Sequence, residues 1–356
     1  MRCSQLRVRL LAAHTLAFVL AGLAGVAGLV ACGSEHGAVP PAADRTRPAG
    51  HHAELLARHA DTAYVVDQAG VLPVNFATGR TGRLIAIPGI RAAAIAISPD
   101  GHTAYVSTLH SVVPVYLAAG KAGAPISVPG GPGAIAVAPD GRTIYVLAGR
   151  GVVPGDLASR QVGRPISTPG FQGTGIAIAP GGLTAYVTGS STGQAAEDFG
   201  VLPVNLISGV AGRLISLTDR PGSIVIAPGG QMAYLAAGDS MIPVNLMTDQ
   251  AGLAIAVHAS SGSIAIAPDG RTAYLAGLRN SDAGVLVPVD LGSETAGLGI
   301  GLPGVKAAVS GLAISPDGRT AVLTTPTSII PVNLPTGRAA RPIRIAAGAY
   351  AVALGP

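Results

Sequence analysis

The sequence predicts an all-β chain, a seven-bladed β-propeller of four-stranded blades. Three observations carry this. A phrase recurs about every 40 residues, the apolar runs between Gly and Pro turns are too short for helices, and the C-terminus supplies a strand that the first repeat lacks. With 49% hydrophobic but only 3% aromatic residues, the apolar mass is Ala, Val, Ile and Leu; 50 Gly and 28 Pro provide turns to separate it into strands.

The repeat is read as follows. The phrase Ile-Ala-Ile-Ser-Pro-Asp-Gly-His-Thr-Ala-Tyr-Val starts at Ile95, and variants start at Ile135, Ile176, Ile224, Ile264 and Leu312. A second phrase, close to Val-x-Pro-Val-Asn-Leu, places prolines at 73, 114, 154, 203, 243, 288 and 331. The residues aligned with Thr103 are 62, 103, 143, 184, 232, 272 and 320, so the spacing is 40, 41 or 48. Each unit reads as four strands; in the second they are expected at 94–98, 103–107, 112–117 and 125–128. Pro-Asp-Gly forms the tight turn between the first two, Pro presetting φ and Gly taking positive φ. Ile-Ala-Ile alternates bulky and small, which suits blades packed face to face, with both faces of the strand buried. The proline in each third strand removes a ladder donor, and a bulge or a short fourth strand is expected beside it.

The ends predict closure. The first unit has Thr62–Val66 but no Ile-Ala-Ile strand before it, whereas the chain finishes with Ala-Val-Ala-Leu-Gly-Pro at 351–356. That segment should join the first blade and shut the ring. An open repeat array would instead need capping ends.

The Pro-Asp-Gly turn followed by Tyr-Val and a Val-x-Val strand resembles the YVTN-type β-propeller repeat proteins of bacteria and archaea, over residues 58–356. Where that family carries Tyr-Val-x-Asn, this chain has Tyr105-Val106-Ser107-Thr108 and Tyr145-Val146-Leu147-Ala148. The resemblance implies the fold and a surface or periplasmic location, and assigns no chemistry.

The N-terminus reads as an export signal over residues 1–31. Arg2, Arg7 and Arg9 precede Leu10–Ala31, 22 nearly uninterrupted apolar residues. Leu29-Val30-Ala31-Cys32 resembles the bacterial lipobox, which implies lipidation of Cys32. The competing reading is an uncleaved transmembrane anchor, for which the run is long enough. Both place the protein outside the cytoplasm on the cell membrane. Residues 32–57 then form a lipidated Pro/Ala/Gly-rich tether, and residues 58–356 the propeller. Cys3 and Cys32 are the only cysteines, so none remains for a disulfide, metal site or thiol chemistry. Removal of the three arginines takes the net charge from +5 to about +2, and no basic run survives. Nucleic-acid binding is therefore not expected.

No catalytic residue is expected, and no cofactor or metal. Asp100, Asp140, Asp269 and Asp317 recur in register with Pro and Gly and read as turn residues, and the repeated tyrosines as packing residues. No two histidines have ligand spacing on one element, and no Gly-x-Ser-x-Gly elbow occurs. The candidate site is a face. The marker-to-proline distance is 11 in five units but 19 in the fourth and 16 in the sixth. Both insertions, of 8 and 5 residues, fall between second and third strands and thus on one side of the ring. The connection near Lys306 is also longer than its counterparts. The candidate binding residues are Glu197 and Asp198 in the first insertion, Arg279, Asn280 and Asp282 in the second, and Asp67, His110, Arg150, Asp239 and His258 in neighbouring loops. Their mixed charge favours an envelope protein or a small polar ligand over a polyanion. The expected function is a membrane-anchored, monomeric binding or scaffolding module. The alternative is a lactonase-like hydrolase with its site in the central channel, which rests on fold analogy alone.

Overall fold

The computed structural model describes residues 61–88, 90, 94–191, 198–280, 282–345 and 348–355. Residues 1–60, with the export segment, Cys32 and the tether, lie outside the described residues.

Among the described residues there is no helix; the strands form seven antiparallel sheets, one per repeat. In blade 2 the inner strand is Ala94–Ile97, the second Thr103–Ser107 and the third Ser111–Tyr116. The chain closes as expected. Ala351–Leu354 pairs antiparallel with Thr62–Val66, setting Tyr64 opposite Ala353, and so provides the inner strand of blade 1. The seven inner strands neighbour one another in an unbroken cycle.

The core is divided into seven layers, one between each pair of adjacent blades. The alternation of bulky and small residues explains how the layers fit. Ile95 and Ile97 pack toward blade 1, whereas Ala94 and Ala96 pack toward blade 3 and receive Ile135 and Val137. This interface therefore sets a bulky face against a small one, which fills space without overpacking; blade 5, with Val225 in the small position, departs from it. Second strands are buried almost throughout, as with Ala104–Ser107. Both faces of the inner strand thus meet a neighbouring blade, but burial is incomplete in some: all four residues of Ala94–Ile97 and of Ala351–Leu354 are half-buried. They border the central channel, so one edge of each lacks a neighbour.

The fourth strand differs from expectation, and the proline is the reason. In blade 2 it is two short pieces, Lys121–Ala122 and Ile126–Ser127, which pair with the two ends of the third strand. Pro114 sits between them. Its carbonyl accepts the Gly123 amide at 2.7 Å, so its backbone polar groups point outward, and the missing N–H faces the outer strand. The chain kinks away where no donor exists. Gly occupies this kink in six blades, at 82, 123, 163, 212, 252 and 297, always nine residues after the proline; Ala340 replaces it in blade 7. A side chain there would crowd the proline: a Cβ on Gly252 would lie 3.0 Å from Pro243 Cγ.

The Pro-Asp-Gly acids are turn residues. Asp140, Asp269 and Asp317 accept the amides of Arg142, Arg271 and Arg319 at 2.9–3.0 Å, and Asp100 does the same for His102. Hydrogen bonds from Ser98 and Ser315, and then from these amides, hold the Asp100 and Asp317 carboxyls below the usual carboxylate range.

Candidate binding face

Second-to-third-strand hairpins and blade-to-blade connections lie on one face, here the hairpin face; Pro-Asp-Gly turns lie on the other. Blade 5 has the short form of hairpin, Met232–Ala237 and Ser240–Asn245 joined by Gly238 and Asp239. Its two neighbours are taller. In blade 4 the second strand runs Thr184–Ser191 and the third Phe199–Asn205; in blade 6 they run Thr272–Arg279 and Ala283–Asp290. The inner strands lengthen with them, Phe171 pairing with Ser191 and Ser260 with Leu278. In blade 6 the inserted residues thus become strand rather than loop. The long connection near Lys306 supports that hairpin: the Gly284 amide donates to Val305, and Leu302, Val305 and Val309 are buried against blade 7. Two strand-built walls therefore stand on either side of a low blade and leave a notch above blade 5.

Strand alternation shows which side chains face it. Tyr186, Val201 and Ile215 of blade 4 pack on blade 5, so Ser190, Phe199 and Leu217 share that face. Ala273, Leu275, Val285 and Val287 of blade 6 pack on blade 5 from the other side, so Arg279 shares theirs. Its guanidinium lies back over Gly299, where a Cβ would be 2.9 Å from Nη2. At the base of the notch the Asp239 carbonyl accepts the amides of Val257 and His258 at 2.9 and 3.2 Å. His258 is exposed, and its left-handed φ of 50° turns the chain into blade 6. Hydroxyls tie the three blades together below: Thr188 donates to Gly222, and Ser223 donates to Gly262 at 2.9 Å and accepts from the Ile264 amide.

The expected residues divide accordingly. Asp198, Asp239, His258, Arg279, Asn280 and Asp282 are exposed and belong to the notch or its walls. Asp198 borders the blade-4 tip, its amide on Ser191 Oγ and its carbonyl accepting the Ser191 amide. Asn280, with φ 51°, makes the tip of the blade-6 hairpin. Glu197 lies outside the described residues. His110 and Arg150 are exposed on the same face in blades 2 and 3, away from the notch. Asp67 is buried, and its Oδ1 is taken by the Ala69 and Gly70 amides at 2.8 and 2.9 Å, so it shapes the blade-1 turn.

Phe199, Leu217, Asp219 and Arg220 were missed by sequence reasoning. A signal for them exists. After the outer strand, blades 1, 2, 3 and 6 continue with Pro-Gly, at 88, 129, 169 and 303; blade 4 has Thr218-Asp219 and blade 5 has His258-Ala259. Three connections depart from Pro-Gly; two of them flank blade 5, and the third, with Ala346-Ala347, follows blade 7. Exposed on the walls and connections of the notch are Asp198, Asp219, Asp239 and Asp282, with the cations Arg220, Arg279 and Lys306. Among the described residues, no three His, Cys, Asp or Glu side chains converge.

No family model matches this chain, and neither does any curated protein. Solved structures do. A functionally unknown protein from Desulfotomaculum acetoxidans DSM 771 superposes with a TM-score of 0.69 at 16% identity, covering 83% of this chain and 99% of that one. The hydrazine synthase of Kuenenia stuttgartiensis superposes with a TM-score of 0.60 at 21% identity, covering 70% and 80%. The chain has the seven-bladed β-propeller fold. At these identities the likeness extends to the fold and no further.

Proposed function

We propose that the protein is a membrane-anchored extracytoplasmic binding module that recognises a polar envelope partner in the notch above blade 5. One observation carries the recognition half: the described parts of both extended hairpins are paired strands, and they flank the same low blade. Ordering such extensions costs conformational entropy that folding does not require, as the other five blades demonstrate. The walls supply a half-buried aromatic, Phe199, and the cation Arg279; the base supplies Asp239 and His258. That combination of one apolar anchor with polar groups of both signs suits a protein segment or small polar molecule bearing cationic or donor groups.

The location half is supported by the apolar run ending in Leu-Val-Ala-Cys at 29–32 and by the resemblance of the repeats to YVTN-type proteins. Cys32→Ser should abolish partitioning of the full chain into detergent; retention of partitioning together with residues 1–31 would establish a transmembrane anchor instead.

Recognition is tested by trimming both hairpins to the length of blade 5. The trimmed chain should keep its circular dichroism spectrum and lose its pulled-down envelope partners. The triple variant Asp239→Ala, His258→Ala, Arg279→Ala should lose the same set. Unchanged partners in both would overturn the assignment of the face.

A further inference from the structure

We propose that the turn face of blades 4 and 5, opposite the notch, is the surface that rests on the lipid bilayer. This rests on the membrane-anchored reading above and adds an orientation to it.

The repeat provides its own control. On the turn face, blades 2, 3, 6 and 7 each carry an acid and a base, as in Asp100 with His102 and Asp140 with Arg142. Blades 4 and 5 have lost both: Gly181 and Leu183 stand in blade 4, Gly229 and Gln231 in blade 5. The turn between third and fourth strands lies on the same face and changes the same way. Ile207 and Met247 occupy positions that hold Ala77, Ala118 and Ala158 in blades 1 to 3. Leu183, Ile207 and Met247 are 57, 78 and 75% exposed. The turns that carry them adjoin. The Leu206 amide donates to the Leu183 carbonyl, and a Cβ on Gly230 of the blade-5 turn would be 3.2 Å from Pro180 Cδ of the blade-4 turn. Clustered exposure of large aliphatic side chains marks an interaction surface, whereas scattered ones do not.

The occupant follows from where the chain joins the ring. Asp61 leads into a second strand, and second strands all begin on the turn face; the Phe76 amide of the following turn donates to the Asp61 carbonyl. The segment that leads back to Cys32 therefore leaves from the same face as the apolar cluster. A chain of its 29 residues would span about 30 Å if it were a flexible coil, which favours the face it leaves from over the opposite one. Two charges beside the cluster, Arg213 and Asp249, border one groove between blades 4 and 5 and are opposite in sign. Contact is thus driven by apolar burial and should be insensitive to salt. It also supplies the second attachment that reinforces a lipid anchor. The notch then faces away from the membrane, toward envelope partners.

The test uses the full chain carrying Cys3→Ser, lipidated at Cys32 and bound to phosphatidylethanolamine–phosphatidylglycerol vesicles. Because residues 33–356 contain no cysteine, one introduced cysteine carries a fluorophore, in Met247→Cys, Ala158→Cys or Asp239→Cys. A lipid-borne quencher should remove most emission at 247 and little at 158 or 239. Adding Leu183→Ser and Ile207→Ser should restore emission at 247 while the chain still floats with vesicles. Equal quenching at 247 and 158, or quenching at 239, overturns the orientation and leaves the anchor standing. Shielding of 247 without vesicles, with a dimer mass, makes a second copy the occupant and overturns the proposal. A chain that does not float overturns the anchor, and the orientation with it.

Discussion

At the residue scale, the repeated tyrosine shows how one position is used in the ring. Tyr64, Tyr105, Tyr186 and Tyr234 are buried in the layers between blades, each opposite the proline of the third strand. Burial raises the pKa of six tyrosines, at 64, 105, 145, 186, 234 and 274, because the phenolate loses its hydration; Tyr64 rises from 10.0 to about 12. A group whose folded pKa is raised stabilises the fold fully below its unfolded value, near pH 10, and loses that contribution as pH rises through the folded value. Alkaline unfolding is therefore expected between about pH 10 and 12. Absorbance titration should show most phenolates appearing together with loss of the β spectrum. Tyr64→Phe should make that loss shallower. Phenolates that all appear near pH 10 in an intact fold would contradict this.

At the element scale, the proline and the glycine nine residues later form one device. The proline ends the ladder locally, and the glycine lets the outer strand bend past the ring. Gly252→Val should destabilise the fold by roughly 1–3 kcal/mol, since its Cβ already lies 3.0 Å from Pro243 Cγ and branching adds to that contact. Gly252→Ala should cost far less, because Ala340 is accommodated at the equivalent place in blade 7. Thermal melts of the two variants check this; equal midpoints would contradict it. The pairing of Pro with Gly was present in the sequence, but its meaning was not. A missing donor has a direction, and only the strand pairing shows that it points outward.

At the scale of the whole molecule, stability depends on closure. Ala351–Leu354 contributes a ladder to blade 1, and Val352 and Leu354 pack in the layer shared with blade 7. At about 1.5–3 kcal/mol for each fully buried aliphatic side chain, losing this half-buried strand should cost several kcal/mol. Deletion of residues 351–356 should lower the melting temperature sharply and raise binding of a hydrophobic dye. An unchanged melting curve would show that the ring does not depend on its closing strand. Blades 4 to 6 are specialised on both sides, carrying the notch on one face and, in blades 4 and 5, the apolar turns on the other. Seven near-identical units leave each free to vary at its ends while its strands remain constrained by two neighbours.

The blade count, the strand order within each blade, closure by the C-terminus and the side on which both insertions fall were determined by the sequence alone. All four follow from periodicity, and a strand's period of two and a repeat's period of 40 survive any detail of packing. Other features needed the tertiary structure. Asp67 and Asp239 look alike in the sequence, yet one carboxylate is turned inward to cap its own turn and the other is exposed above blade 5. The insertion in blade 6 reads as a loop until its residues find partners in the inner strand. Phe199, Leu217, Asp219 and Arg220 join the site only because blades adjacent in the ring set their hairpins and connections side by side. Position within a repeat is written locally, whereas what a side chain faces depends on the neighbouring blade, and closing the ring decides which surface that neighbour presents.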